Sequence, residues 1–335
     1  MRIAIVNDMP MAAEVLRRVL ATTPEHRLAW IATSGLEAVE FCRTDLPDLV
    51  LMDLIMPEMD GVEATRRIMA ETPCAILLVT ASVDANASRV FEAMGHGALD
   101  AVDTPALGLG DPRQSAHSLL RKITAIGRLI GDREGSAGAI RASSPAPAGT
   151  PLVAIGASAG GPAALATVLG GLPQDFRAAV VVIQHVDKRF AAGMATWLAD
   201  FAAMPVRLAG EDDVPTPGII YLAASDNHLA LKSPMRLGYT PEPRDYVYRP
   251  SVDVFFRSVA RHWRGQAVGV LLTGMGRDGA QGLKALRVKG CHTIAQDRAT
   301  CAVYGMPKAA AELDAAADIL PLPRIAARLI SSVGR

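Results

Sequence analysis

Five times in the first 130 residues, a short and nearly uninterrupted apolar run is followed by a segment whose apolar residues recur at helical spacing. The pairs are 3–6 with 11–20, 28–31 with 36–41, 49–52 with 62–69, 75–79 with 87–94, and 99–102 with 119–130. A strand that is apolar throughout is buried on both faces, and strands alternating with helices must run parallel, because each crossover returns the chain to the same edge. The pattern therefore predicts a five-stranded, doubly wound parallel sheet, in which function collects beyond the carboxyl ends of the strands. Those ends carry Asn7-Asp8, Asp53, Thr80 and Thr104. Asp8 and Asp53 are expected to converge, and grouped hard oxygens suit Mg²⁺ and a phosphoryl group transferred onto one carboxylate. Each Asp alone reads more readily as a helix cap; the pair, with the run D-L-I-M-P-E-M-D-G at 53–61, favours the metal and phosphoryl reading.

Residues 131–150 are Gly/Ser/Ala/Pro-rich and short of large apolar side chains, the composition of an inter-domain linker. The domains expected are 1–130, the linker 131–150, and 151–335, since a chain of 335 residues exceeds the usual single-core size. The second domain opens on P-L-V-A-I-G-A-S-A-G-G-P at 151–162, a buried strand, a tight turn with a hydroxyl, and a helix start. This is either a nucleophile elbow presenting Ser158 beside a helix N-terminus or a dinucleotide-binding glycine loop. The second reading needs an acidic residue at the end of the next strand, and 178–183 ends instead in Gln184-His185. Further strands are expected at 219–222, 228–231, 268–272 and 292–295, with helices at 191–201, 252–263 and 309–313. Ser158, His185 and Asp278 then stand at or just past strand ends, and a hydroxyl, an imidazole and a carboxylate are the parts of an acyl-transfer site. Singly, each has a duller role as a cap or a core hydrogen-bonding group.

Lys+Arg and Asp+Glu are equal at 34 each, which argues against a broad nucleic-acid surface. The N-terminus enters a strand pattern with no secretory leader, and no apolar run is long enough for membrane insertion, so a cytoplasmic protein is expected. Cys42, Cys74, Cys291 and Cys301 lack C-x-x-C spacing and read as free thiols. Met52, Met56 and Met59 read as packing around Asp53, and His96, His228, His262 and His292 as structural or surface residues. Arg244, Tyr246, Tyr248 and Arg249 form a basic-aromatic cluster, either a contact for an acidic helix or a solvated loop.

The motifs N-D (7–8), L-M-D-L-I-M-P-E-M-D-G (51–61), V-T-A-S (79–82) and G-A-L-D (97–100) resemble a response-regulator receiver domain of flavodoxin-like fold. That resemblance implies Asp53 as phosphoacceptor and Thr80 as switch hydroxyl. It implies Mg²⁺ held by Asp8, Asp53 and the Ile55 backbone carbonyl, with Asn7 as a further candidate. Asn7 stands where the family has an acid, Thr104 where it usually has lysine, and Ala101 where it often has an aromatic residue. The motifs I-G-A-S-A-G-G-P (155–162), Q-H (184–185), R-P-S-V-D-V (249–254), T-G-M-G-R-D-G-A (273–280), A-Q-D (295–297) and Y-G-M-P-K-A-A (304–310) resemble the catalytic domain of chemotaxis protein-glutamate methylesterases, the CheB family, a doubly wound α/β domain.

This second resemblance implies Ser158 as nucleophile, His185 as general base, and Asp278 as its orienting carboxylate. The Met275 and His185 backbone N–H groups would form the oxyanion hole, and no cofactor is implied in the esterase site. The implied partners are a methylated chemoreceptor, whose glutamate γ-methyl esters are hydrolysed, and a CheA-like histidine kinase as phosphodonor. Some members also deamidate glutamine. The stretch 97–108 resembles most the WspF branch, which serves control of a diguanylate cyclase. The expected device is an esterase that the unphosphorylated receiver covers and phosphorylation uncovers; the alternative is an interaction module with a vestigial site.

Overall fold

The computed structural model describes residues 1–83, 85–105, 116–131, 149–246 and 248–333. The chain divides into two compact units, Met1–Arg133 and Glu134–Arg335. Most of the expected linker at 131–150, and the end of the 97–108 stretch, lie outside the described residues.

In the first unit the elements are β1 (Arg2–Val6), α1 (Pro10–Ala21), β2 (Arg27–Ala32), α2 (Gly35–Thr44), β3 (Leu49–Met52), α3 (Gly61–Glu71), β4 (Ala75–Thr80), α4 (Ala87–Gly95), β5 (Asp100–Asp103) and α5 (His117–Gly131). The strands form one sheet in the order β2-β1-β3-β4-β5, every neighbour parallel. The expected five βα pairs are all present. The inner strands β3 and β4 are buried at every residue, as their uninterrupted apolar runs require. Ser34 caps α2 by accepting from the Glu37 N–H, and Asp60 caps α3 by accepting from the Glu63 N–H, fixing where the helices begin.

The second unit contains β6 (Leu152–Ala157), α6 (Gly161–Gly170), β7 (Ala179–Gln184), α7 (Lys188–Ala199), β8 (Val206–Leu208), β9 (Ile220–Leu222), β10 (His228–Lys232), β11 (Arg236–Thr240), α8 (Val252–His262), β12 (Ala267–Leu271), α9 (Ala280–Val288), β13 (His292–Gln296), α10 (Met306–Glu312), β14 (Asp318–Leu320) and α11 (Leu322–Val333). Seven strands form a parallel sheet, β14-β13-β12-β6-β7-β9-β8, with β10 and β11 as a separate antiparallel hairpin. The expected strand at 228–231 is thus paired outside the main sheet. The edge strands β8 and β14, the hairpin partner β11 and the terminal helix α11 were not expected. The three strands are only 3 to 5 residues long with exposed positions, so none carries the apolar run that marks an inner strand.

The chain starts this sheet in the middle. From β6 it steps to β7 on one side, and later returns to β12 on the other. The crevice where the strand order reverses is the place such sheets reserve for ligands. Register sets what meets there: Ala157 pairs with Gln184 and Gly156 with Leu271, so Ser158 and His185 leave their strands at the same level.

Two glycines allow the turn after β6. Gly160 has φ +76°, a left-handed conformation that side chains disfavour. At Gly161 a Cβ would stand 2.0 Å from the buried Gln184 Oε1. The Gln184 amide donates to the carbonyls of Ser158 (2.9 Å) and His185 (3.2 Å), tying the turn to the end of β7. Gly161→Ala is therefore expected to cost about 1–3 kcal/mol. Denaturant unfolding of the full chain checks this.

Candidate active site

Ser158 follows the last residue of β6, and its position is fixed through the backbone. Its N–H donates to the Thr273 carbonyl (3.0 Å), and its carbonyl accepts from the Gly161 N–H (2.8 Å) as well as from Gln184. Thr273 is itself anchored: its N–H donates to Gln296 Oε1 (2.8 Å) and its hydroxyl to the Ala159 carbonyl (2.9 Å). The turn is the expected strand–turn–helix, but the left-handed residue is Gly160 and not the serine. Ser158 and His185 are both buried, at 3% and 7% exposure, so an ester reaching them leaves bulk water behind.

His185 Nε2 lies 2.8 Å from Asp278 Oδ2. Asp278 also accepts from the Ser251 hydroxyl (2.8 Å), the Val252 N–H (2.7 Å) and the Asp253 N–H (3.0 Å). Burial alone would push the Asp278 carboxyl up; the hydrogen bond and charge of His185, with the Asp253 N–H and Ser251 hydroxyl, hold it below the usual carboxylate range. Asp278 is thus a cap, as its plainer reading allowed, but for α8 and not for the helix that follows it in sequence. An anion accepting from Nε2 requires the proton on Nε2, which leaves Nδ1 with the lone pair. Nδ1 is buried and has no hydrogen-bond partner among the described residues. It is the one imidazole nitrogen able to take a proton from a hydroxyl.

The expected oxyanion pair needs correction. The His185 N–H donates to the Ala157 carbonyl at 3.1 Å, a continuation of the β6–β7 ladder, so it is not available to a developing oxyanion. Among the described residues the Met275 N–H has no acceptor, nor do those of Ala159 and Gly160 in the turn after β6.

Three residues that the sequence did not assign to the site lie against this set. Ser251, inside R-P-S-V-D-V, joins Asp278 to the N-terminus of α8, and its position ahead of an apolar helix was the available signal. Tyr248 stacks on the His185 ring, with centroids 3.8 Å apart and planes at 12°. Asp253 is a second buried carboxylate, accepting from the Gly282 N–H (2.6 Å), and burial and then the Asp278 charge raise it to about 7. His228, read as structural, accepts from the Ser251 N–H at Nδ1 (3.1 Å) and donates from Nε2 to the Pro243 carbonyl (2.9 Å).

In the first unit, Asp53 lies at the end of β3 with its N–H donating to the Val6 carbonyl (2.9 Å). Burial foremost, and the Asp8 charge in addition, raise its carboxyl, while N–H groups of Ile55 and Leu54 oppose the shift. Asn7 donates from Nδ2 to Asp53 Oδ2 (2.9 Å), and its Oδ1 accepts from the Met9 N–H (2.9 Å). Its oxygen keeps a second lone pair, so Asn7 remains a further candidate ligand. The chemistry of Asp8 and Asp53 suits Mg²⁺: two neighbouring carboxylates supply hard oxygens, and this ion keeps several waters. Among the described residues, no group of three or more His, Cys, Asp or Glu is placed to hold a metal. Thr80 is buried and accepts from Asn86 Nδ2 (3.2 Å), and the Thr104 N–H donates to the Thr80 carbonyl (2.8 Å). Ala101 is fully buried. The four cysteines are free thiols. No described helix is long and apolar enough to cross a membrane.

A parallel sheet whose switch point gathers a serine, a histidine and a buried carboxylate, on a chain with a second sheet carrying a strand-end Asp pair, defines a hydrolase joined to a receiver. The comparisons agree with that class. Residues 153–329 match the family model described as CheB methylesterase, and residues 3–106 match the response regulator receiver domain. The chain is 62% identical over 331 residues to a Pseudomonas aeruginosa protein named protein-glutamate methylesterase/protein-glutamine glutaminase 3, covering 98% of each. It is 60% identical over 337 residues to a Mesorhizobium japonicum protein of the same general name, covering 100% of this chain and 99% of that protein. The crystal structure of the Thermotoga maritima CheB methylesterase catalytic domain superposes with a TM-score of 0.52 at 32% identity, covering 55% of this chain and 98% of that one. The chain belongs to the CheB methylesterase family, with an N-terminal receiver domain.

Asp253 generates a pH test. Its folded-state value, about 7, lies above the ordinary 3.8, so the folded chain holds a proton that the unfolded chain releases. This group's contribution is most favourable below about pH 4 and is lost as pH rises to 7. Asp253→Asn is expected to stabilise the full chain at pH 8 by about 1–3 kcal/mol relative to wild type, an advantage that shrinks toward pH 5.5. Calorimetry of both proteins at the two pH values checks the sign.

Proposed function

We propose that Ser158, His185 and Asp278 carry out the hydrolysis of glutamate γ-methyl esters on a chemoreceptor, and that Asp53 phosphorylation regulates the rate. The observation carrying the reading is the His185–Asp278 pair, which leaves a buried, partnerless Nδ1 level with Ser158 at the sheet's switch point. In the first half-reaction Ser158 Oγ attacks the ester carbonyl carbon as its proton passes to His185 Nδ1. The Met275 N–H donates to the oxygen that becomes negative, a contact worth about 3 kcal/mol in the transition state. Collapse returns the proton from Nδ1 to the departing methoxide, giving methanol and an acyl-serine. Water then attacks that ester, His185 again taking the proton, and the products are a free glutamate side chain and Ser158. The same sequence with ammonia leaving would deamidate glutamine.

Asp278 remains an anion throughout and stabilises the imidazolium, since four donors hold its charge. No cofactor is required at this site. In the receiver, Asp53 accepts the phosphoryl group of a CheA-like histidine kinase; Asp8, Asp53 and the Ile55 carbonyl would hold Mg²⁺, with Asn7 as a further candidate, and the ion would neutralise phosphoryl charge. Thr80 turns toward the phosphoryl oxygens. The setting is cytoplasmic, and a Wsp-type pathway acting on a diguanylate cyclase is the output suggested by the 97–108 sequence. A module with a vestigial site is disfavoured by the intact set of Ser158, His185 and Asp278, with the His185–Asp278 pair made at 2.8 Å.

Ser158→Ala is expected to lower methanol release from a methylated receptor fragment roughly a thousandfold or more while the chain stays folded; activity near wild type would refute the assignment. With phosphodonor present, wild type should hydrolyse faster than Asp53→Asn. Equal rates would separate the receiver from the control of catalysis.

A further inference from the structure

We propose that Tyr248 is a positioning residue for the reaction, fixing the plane of the His185 ring and favouring its protonated form in the transition state. The inference rests on the Ser158–His185–Asp278 reading above. One hydrogen bond at Nε2 leaves an imidazole free to rock about its own long axis, which would swing Nδ1 away from the serine. The Tyr248 ring removes that freedom by lying face to face on the imidazole, with centroids 3.8 Å apart and planes within 12° of parallel.

The stack also discriminates between states. A neutral imidazole gains little from the electron-rich face of a phenol, whereas the cation formed as Ser158 gives up its proton is attracted to it. An interaction stronger in the transition state than in the ground state raises kcat and leaves substrate binding nearly unchanged.

The loop carrying Tyr248 is anchored on both sides of it. Before it, the Tyr246 hydroxyl accepts from Arg257 Nη1 (3.0 Å), and the Tyr246 ring sits edge-on to His228 with centroids 5.9 Å apart. After it, the Arg249 guanidinium donates to the Arg244 carbonyl, and Ser251 bonds to His228 and Asp278. The carboxylate that orients one edge of the imidazole therefore also holds the end of the loop whose aromatic ring covers its face. The basic-aromatic cluster at 244–249 is thereby divided: Tyr248 serves the imidazole, and Arg244 and Arg249 close the loop.

Two measurements on the full chain test this. With a methylated receptor fragment, Tyr248→Leu is expected to lower kcat about tenfold with KM within twofold, and Tyr248→Phe, which keeps the ring face, to stay within about threefold of wild type. In ¹³C-histidine-labelled protein, the His185 ring protons should resonate upfield of ordinary values in wild type and Tyr248→Phe, and return toward them in Tyr248→Leu. Unchanged kcat in Tyr248→Leu, or a rise confined to KM, would overturn the proposal. So would the absence of upfield signals in wild type, a result that stands even if the Leu variant does not fold. Activity surviving Ser158→Ala would instead remove the underlying reading, and it leaves the upfield signals in place.

Discussion

The second domain depends on one buried charge. Asp278 is an anion with four donors, and they come from separate parts of the chain: His185 after β7, the Ser251 hydroxyl at the cap of α8, and the first N–H groups of α8. A carboxylate taken out of water survives only when its lone pairs are filled, and a helix N-terminus supplies free N–H groups together with a favourable dipole. The same contact settles the helix, because its first N–H groups would otherwise be buried without acceptors. Helix α8 in turn buries Val252, Phe255, Phe256 and Val259 in the core of the second unit. The orienting carboxylate is therefore also part of the domain's architecture, and any loss of activity on removing it contains a folding component.

Fixing Asp278 on Nε2 decides the chemistry at the opposite edge of the ring. The nitrogen left for the serine is Nδ1, the one nearer the backbone, so the nucleophile has to stand close to the strand that bears the histidine. The register supplies that closeness: β6 and β7 are neighbours, Ala157 pairs with Gln184, and Ser158 and His185 are the next ones along. The same ladder uses the His185 N–H to bond Ala157, which is why that amide cannot also serve an oxyanion. A histidine one residue into the strand extension cannot give both its ring and its N–H to the reaction.

What was legible in the sequence was what hydrophobic burial enforces locally. Uninterrupted apolar runs marked β3, β4, β6, β7 and β12, all inner strands, and their polar ends marked Asp53, Ser158 and His185. In the second unit the edge strands β8 and β14 escaped because exposed positions break the run, as in β14 with Ile319 half in solvent. The partners of the site escaped for a different reason. Ser251 and Asp253 meet Asp278 from 27 and 25 residues away, and Tyr248 meets His185 through a loop whose composition reads as surface. No periodicity encodes such contacts. They follow from a crevice that exists only after β12 has been laid beside β6.

The receiver poses the complementary problem, a site short of charge on both sides of the ledger. Asn7 replaces a carboxylate with an amide that donates to Asp53, so the pocket holds one anion fewer to attract a divalent cation. Yet that loss also lightens the repulsion an incoming phosphoryl group meets, and unit charges about 4 Å apart interact by roughly 4 kcal/mol in a partly screened setting. Thr104 offers a hydroxyl where an ammonium would have paired with the phosphoryl oxygens, and its backbone is tied to Thr80 by the β4–β5 ladder. The two substitutions act in opposite directions on the phosphorylated state: one removes repulsion, the other removes attraction. Under the proposed phosphorylation of Asp53, either substitution alone would displace phosphoryl affinity, and the two together would offset each other.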